Sequence, residues 1–213
     1  MQSGQLIAII LAVIWLVTYF PRELLPKLKR ESNYQHFVFA SVVALSLFWS
    51  VQTGLHDGLQ LHFLLLTSLV LCHGWRIACW VSLLPMLLLV GFGKLPWQDS
   101  GIFMLTSVLL PALFSYTLFL ASYRYLPRHL FVYIFVAGFI SAALTIVVQI
   151  SLTAIWFGME DRYSWQIIND NYWQLALLLW FPEALLNGSA VTLMAIYRPH
   201  WLRTFYDREY LAN

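Results

Sequence analysis

The sequence has little charge and almost no cysteine. Only 10 % of its 213 residues are Asp, Glu, Lys or Arg, whereas a soluble domain carries about 25 %. Apolar residues make up 61 %, more than one core of this size could hide from water, so lipid must be the solvent for most of the chain. The two cysteines, Cys72 and Cys79, lie in apolar runs and form neither a disulfide framework nor a zinc motif.

Common catalytic and nucleotide-binding motifs are also missing. The sequence contains no Walker A motif, no G-x-S-x-G and no H-E-x-x-H. We therefore expect a chain that is not an enzyme and that binds no nucleotide by itself. The net charge of +2 is too small to indicate a nucleic-acid partner.

Seven apolar stretches are candidates for crossing a lipid bilayer. A helix that crosses about 30 Å of hydrocarbon needs about 20 residues. The predicted spans are residues 5–20, 36–51, 59–72, 75–92, 102–123, 129–157 and 172–197. The third is short, and we expect it to tilt or to cross only in part. The prediction is an all-α fold, with residues 1–213 forming one integral membrane domain, a polytopic bundle of about seven transmembrane helices.

The basic residues indicate how this bundle is oriented. With seven spans, ten of the 12 Lys and Arg residues fall in loops on one side of the membrane, and only Lys94 and Arg162 fall on the other. Positive residues are enriched in cytoplasmic loops. We therefore predict an N terminus outside, a cytoplasmic C terminus and a multi-pass location in a bacterial inner membrane.

Two histidines and an aspartate lie close together in the stretch LHDGLQLHF. His56, Asp57 and His62 are predicted at the outer mouth of the third span, with His62 about one turn into the helix. Imidazole nitrogens suit transition metals, and a neighbouring carboxylate can bind the metal or orient a ring. A metal site is one interpretation. Interfacial histidines that reach to water are the other, because the i, i+4 spacing of a helical metal-binding pair is absent.

Polar residues interrupt the seventh span in the stretch FPEALLNGSAVT. Glu183 and Asn187 lie one turn apart on the same helix face, and a charge inside a membrane usually faces a bundle interior or a cavity. Pro182 predicts a break in the helix. In a functional interpretation, Glu183 forms a gate or contacts a substrate. In a structural interpretation, Glu183 is protonated or is paired with a residue such as Arg76 or Arg124.

Small residues repeat along the first span. Gly4, Ala8 and Ala12 recur at every fourth position, and small residues at this spacing let helices approach closely. The face predicts either packing within the chain or a docking site for a partner membrane protein.

Three stretches resemble one protein family. They are FVYIFVAGF (131–139), FPEALLNG (181–188) and RPHWLRTFYDREYL (198–211). They are similar to the short proteobacterial branch of the energy-coupling-factor permease family, whose better known members are the CbiM/NikM-type substrate-binding proteins for cobalt and nickel. The resemblance covers most of the chain from about Gln35 onward. It implies a bundle of about seven helices with an outside N terminus, working with a membrane scaffold subunit and ATPase subunits.

The resemblance also implies a metal ligand. Family members bind metal with a free N-terminal amine, a histidine directly after the initiator methionine, and a histidine near the start of a later helix. The stretch LQLHFLLLTSLVLCHGW is similar to the region of that later histidine, which places the role on His62. His56 and Asp57, from the stretch before it, are the expected helpers. The chain begins Met1-Gln2-Ser3, and an amide is a poor ligand for these metals beside an imidazole.

The resulting functional prediction is a membrane-embedded substrate-binding component of a transition-metal uptake transporter, with a cobalt-like or nickel-like ion as substrate. Two alternatives stay open. One is an interaction or assembly protein that transports nothing and serves another membrane complex. The other is a membrane subunit that binds haem or a quinone. The absence of the Met-His start favours the first alternative.

Overall fold

A computed structural model describes residues 3–54, 59–206 and 210, without the side chains of residues 175–177. Within these residues the chain is helical apart from its connections and one isolated antiparallel bridge between Thr53 and Leu61. The predicted all-α helix bundle is thereby confirmed. The helices are α1 (Ser3–Thr18), α2 (Leu24–Arg30), α3 (Ser32–Ser50), α4 (Leu66–His73), α5 (Trp75–Gly91), α6 (Trp97–Tyr125), α7 (Leu130–Met159) and α8, which joins Trp165–Ile168, Asn169–Trp173 and Gln174–Tyr197.

The longest helices of the described chain have the length and composition of membrane spans. They are α6 with 29 residues, α7 with 30 residues, and the part of α8 from Leu178 to Tyr197 with 20 residues. Helices α1 and α5 are apolar but shorter. Large apolar side chains such as Ile14 and Leu87 are exposed on their outer faces, as expected of helices that lie in lipid. The count of seven spans and their orientation remain predictions.

Each of α6, α7 and α8 contains a π-helical stretch, the one in α7 being Tyr133–Ile140, and the stretches of α6 and α8 place polar residues in the interior. These two are Met104–Leu109 in α6 and Asn169–Trp173 in α8. A π turn closes i→i+5 hydrogen bonds, changes the direction in which side chains point, and is frequent at functional sites. The first contains Thr106 and Ser107, and the second contains Tyr172, all of them buried.

The predicted third span is not a continuous helix. Residues 59–65 are non-helical, and α4 begins only at Leu66, after Leu65 takes a left-handed φ of 53°. The eight residues of α4 extend about 12 Å at 1.5 Å per residue, well short of the hydrocarbon thickness. His62 therefore precedes the helix, and the prediction that it lies one turn inside the helix is wrong.

Two side chains of α8 explain where α4 begins. The Glu183 carboxylate accepts hydrogen bonds from the backbone amides of Leu64 (2.9 Å) and Leu65 (2.7 Å). The Asn187 side-chain oxygen accepts from the Ser68 backbone amide at 2.9 Å and from the Ser68 hydroxyl at 2.8 Å. The first amides of a helix have no intrahelical partner. Glu183 and Asn187 therefore cap α4 from a neighbouring helix, and they satisfy polar backbone that hydrocarbon could not.

The expected break at Pro182 is wrong, and so is the alternative in which Arg76 pairs with Glu183. The helix continues through Pro182 without a break, since neighbouring helices in a membrane bundle can compensate for the hydrogen bond that proline removes. Arg76 is not the partner of Glu183, because its guanidinium pairs with Glu23 at 3.3 Å. The Glu183 oxygens instead accept from backbone amides and from the Asn187 side chain at 2.8 Å.

Helix α1 packs directly on the first turn of α6. A β-carbon at Gly101 would meet the backbone of Ile9, with the Ile9 α-carbon only 2.6 Å away. Ala8 and Ala12 are 0 % and 4 % exposed and belong to the core. The small residues of both helices thus bring the two backbones together.

Glu23 lies between two arginines in the connection from α1 to α2. Its Oε1 is 3.3 Å from the Arg76 guanidinium and 3.6 Å from that of Arg203. A hydrogen bond from its own backbone amide, together with these two positive charges, lowers the pKa of the Glu23 carboxyl. A lowered pKa in the folded state stabilises the fold above the ordinary value of 4.5, and that stabilisation is lost as the pH falls through the folded pKa.

We expect Glu23→Gln to lower the thermal unfolding midpoint at neutral pH and to have no effect well below the ordinary pKa, where the wild-type carboxyl is also protonated. The effect should be small and should shrink in salt, because the pair is exposed. Thermal unfolding of both proteins at two pH values is the measurement. An equal difference at both pH values would contradict the assignment.

Candidate functional site

A cavity of about 470 Å³ lies at the end of the bundle where α3 and α5 terminate. The cavity reaches the surface, because its lining includes the exposed residues Gly93 and Lys94. It also extends into the interior, because the lining includes the buried residues Ser107 and Gln149. The walls come from the segment before α4 and from α6, α7 and α8. We call this the cavity end of the bundle.

His62 is part of the cavity wall and is only 6 % exposed. Its ring stacks on Phe103, with the centroids 5.5 Å apart, and meets Trp49 edge to face at 5.9 Å. The His62 ring lies near the Gln60 backbone. Neither of its ring nitrogens has a well-formed hydrogen bond to any described residue. A buried polar group without a partner costs free energy, so this imidazole has a lone pair available for a ligand.

Backbone hydrogen bonds and side chains position the segment that contains this imidazole. Upstream, Thr53 and Leu61 exchange two backbone hydrogen bonds of 3.0 Å and 2.7 Å. Downstream, the Trp49 indole donates to the Leu64 carbonyl at 3.1 Å, and Glu183 accepts the Leu64 amide. A non-helical segment would otherwise leave polar backbone unpaired inside the bundle.

Hydroxyls and an amide form the inner wall of the cavity. The Gln149 amide donates to the Ser107 hydroxyl at 3.1 Å, and the Thr153 hydroxyl donates to that of Thr106 at 3.1 Å. Tyr172 lies near Gln149 and Thr153, but its buried hydroxyl has no well-formed hydrogen bond within the described chain. The two π stretches of α6 and α8 thus place three of these groups on the cavity.

Charged residues lie around the mouth of the cavity. The Asp99 carboxylate accepts two hydrogen bonds from the Arg162 guanidinium, at 3.1 Å and 3.0 Å, and one from the Gln5 amide at 2.8 Å. The Lys94 ammonium donates to the Ser50 carbonyl at 2.6 Å. Asp99 is the one carboxylate in the described lining, and a guanidinium already pairs with it.

A family model covers nearly the whole chain. The model named CbiM, described as the cobalt uptake substrate-specific transmembrane region, matches residues 2–201. The chain belongs to the CbiM family. CbiM proteins are membrane components of transporters that work with other subunits, and they are not an enzyme family, so the predicted resemblance is confirmed at this level. Neither the curated proteins nor the solved structures yielded a match.

The predicted metal site of this CbiM chain is only partly described. His62 lies in the cavity wall, whereas His56 and Asp57 lie outside the described residues. Among the residues that are described, no group of three or more His, Cys, Asp or Glu side chains is placed to hold a metal ion. Glu183 and Asn187 are buried but do not line the cavity. They hold the segment after His62 in place.

The small-residue face of α1 packs inside this CbiM chain. Ala8 and Ala12 are buried by the chain's own helices, and the Glu160 side chain lies over Gly4. Both Glu160 carboxylate oxygens are buried and lack a hydrogen-bond partner among the described residues. This geometry agrees with the intramolecular alternative. A partner that approaches the folded bundle would meet the opposite face of α1, where Val17 is 68 % exposed.

The sequence pattern did not predict the polar inner wall of the cavity. One signal was present, because Gln149 and Thr153 are four residues apart in the apolar run of α7 and so share a helix face. The other wall residues with hydroxyls are Thr106 and Ser107 in α6 and Tyr172 in α8. Hydropathy gives no reason to group such residues, and only the folded bundle brings them together.

Proposed function

We propose that this CbiM chain is the substrate-specific membrane component of a transition-metal uptake transporter of the energy-coupling-factor type, with cobalt or nickel as the ion. The supporting observation is His62, a buried imidazole in the wall of a cavity that reaches the surface. Neither of its nitrogens has a well-formed hydrogen bond within the described chain. Neutral imidazole is a good ligand for these divalent ions.

The charge distribution supports uptake from outside. The loops that contain Lys94 and Arg162 surround the cavity end, and they are the loops that the basic-residue pattern assigns to the outer side. An ion would therefore enter the cavity from outside the cell. Release to the cytoplasm would require energy from partners, namely a membrane scaffold subunit and ATPase subunits, because the sequence has no Walker motif.

His62 would supply one protein ligand in this proposal. His56 and Asp57 are the proposed helpers from the preceding loop. The remaining coordination positions would be filled by water or by groups that arrive with the ion, since imidazole-bound divalent ions of this class take four to six ligands.

Metal binding by the purified full-length chain tests the proposal. We expect the wild type to retain about one equivalent of Co²⁺ or Ni²⁺ in equilibrium dialysis, and His62→Ala to bind at least about tenfold more weakly, since even residues that only support a metal ligand contribute 10–100-fold. His200→Ala is the matched control, because His200 is exposed and follows the far end of α8.

Each other outcome has a definite meaning. Equal binding by wild type and His62→Ala would remove His62 from the site. No binding by the wild type, together with a co-purifying membrane enzyme, would support the assembly-protein alternative. A haem absorption band in the purified chain would support the alternative of a haem- or quinone-binding membrane subunit.

A further inference from the structure

The cavity is much larger than a hydrated metal ion. Its volume is about 470 Å³. Six water molecules at about 30 Å³ each occupy about 180 Å³. A divalent ion with its water shell would leave more than half of the space unfilled, and a bare ion would leave nearly all of it.

The described lining offers little negative charge to an isolated dication. Its one carboxylate, Asp99, is already paired with Arg162 and bonded to Gln5. Lys94 adds a positive charge at the mouth. Transfer of a doubly charged ion from water to this cavity costs desolvation free energy, and none of the described residues offers an available negative charge to offset it.

The inner wall offers hydrogen bonds without charge. The Tyr172 hydroxyl has no well-formed hydrogen bond within the described chain. The Gln149 amide and the hydroxyls of Ser107, Thr106 and Thr153 form a connected chain of hydrogen bonds. Such groups recognise the oxygens of an organic molecule, and buried polar groups of this kind give high specificity for it.

We propose that the substrate is a transition-metal ion already bound by a small carboxylate-bearing chelator, so that the complex is neutral or anionic and keeps one exchangeable coordination position. This inference rests on the proposed metal-uptake function. On binding, one metal-bound water leaves and an imidazole nitrogen of His62 takes its place. The metal keeps its oxidation state, the imidazole stays neutral, and the water leaves as water. A chelator carboxylate accepts a hydrogen bond from the Tyr172 hydroxyl, whereas the Gln149 amide keeps its hydrogen bonds to Ser107 and Thr153.

Equilibrium dialysis with labelled citrate and cobalt tests this inference on the detergent-purified full-length chain. The three probes are Co²⁺ alone, the equimolar Co²⁺–citrate complex, which has water-filled coordination positions, and Co²⁺–EDTA, which has no readily exchanged position. We expect the citrate complex to bind at least about tenfold more tightly than Co²⁺ alone, a difference that corresponds to one or two good hydrogen bonds. Cobalt and citrate should be retained in equal amounts, and Co²⁺–EDTA should not be retained.

A matched pair of variants locates the chelator. Tyr172→Phe should weaken binding of the citrate complex about threefold to tenfold, the effect of losing one hydrogen bond. Tyr197→Phe should not, because Tyr197 is an exposed tyrosine at the other end of the same helix. Equal affinities of the two variants would overturn the placement of the chelator on the inner wall.

The remaining outcomes separate this inference from the proposed function. His62-dependent binding of Co²⁺ alone, as tight as that of the complex or without citrate being retained, would overturn the chelate and leave metal uptake intact. Retention of Co²⁺–EDTA equal to that of the citrate complex would overturn the exchangeable position. Binding of neither Co²⁺ nor the citrate complex would overturn both proposals.

Discussion

Replacing Glu183 with alanine should destabilise the protein by about 3–5 kcal/mol, because it leaves buried amide groups without an acceptor at about 1–3 kcal/mol each. Glu183 is 1 % exposed. It accepts from the backbone amides of Leu64 and Leu65 and from the Asn187 side chain. For a chain of this size the loss corresponds to a fall of roughly 10 °C in the unfolding midpoint. Thermal unfolding of the detergent-purified protein is the measurement.

Glu183→Gln provides the graded control for this change. It keeps the shape and one acceptor oxygen but turns the other oxygen into a donor that faces an N–H group, so we expect an intermediate loss. Glu31→Ala, at an exposed position, should leave the midpoint unchanged. A midpoint for Glu183→Ala equal to that of Glu31→Ala would show that the carboxylate does not hold the start of α4.

The same substitution should also weaken metal binding, although Glu183 does not line the cavity. Its amide partners follow His62 within three residues along the chain, so their release frees the segment that positions the imidazole. Metal affinity measured for the more stable Glu183→Gln variant separates this positioning effect from unfolding. Unchanged affinity in a variant with a lowered midpoint would contradict the link.

Gly101→Ala should destabilise the protein by about 1–3 kcal/mol through overpacking. The new β-carbon would meet the Ile9 backbone, and the Ile9 Cα would lie 2.6 Å away. A side chain can relieve such a clash by changing its rotamer, but the backbone of a packed helix cannot, so α1 must move away from α6. We expect the unfolding midpoint to fall, and this shift tests the contact between the two helices.

Gly91→Ala is the control of opposite sign. A β-carbon at Gly91, the last residue of α5, has no other atom within 4 Å. Alanine there restricts the unfolded chain and should stabilise the protein by up to about 1 kcal/mol. If Gly101→Ala leaves the midpoint unchanged or raises it as Gly91→Ala does, the close approach of α1 to Gly101 is not present in solution.

The long helices were predictable from sequence for a simple reason. Within hydrocarbon every backbone group must find a partner in the chain, and a helix provides that partner locally. The predicted stretches 75–92, 129–157 and 172–197 accordingly fall on α5, α7 and α8. The position of charged residues and the length of an apolar stretch are enough to predict a helix wherever the backbone hydrogen bonds are made within that helix.

The segment before α4 fails this condition. The amide of Leu64 finds its acceptor on Glu183, 119 positions later in the chain. A local pattern of apolar residues cannot reveal such a long-range partner, so residues 59–65 looked like part of a helix. The stretch LHDGLQLHF predicted His62 as a candidate ligand and the family resemblance added its role, whereas Tyr172 and Ser107 on the same cavity depend on π turns that no composition rule predicts.

The interrupted third stretch also affects how crossings are counted. Residues 59–65 can reach about 23 Å if extended, and the eight residues of α4 add about 12 Å, so together they can pass through about 30 Å of hydrocarbon. With this stretch counted, the predicted crossings number seven, whereas a count that requires a continuous helix for each predicted span omits it and obtains six. The odd count places the chain ends on opposite sides of the membrane and the even count places them on the same side, so fusion reporters attached to the two ends distinguish the two counts.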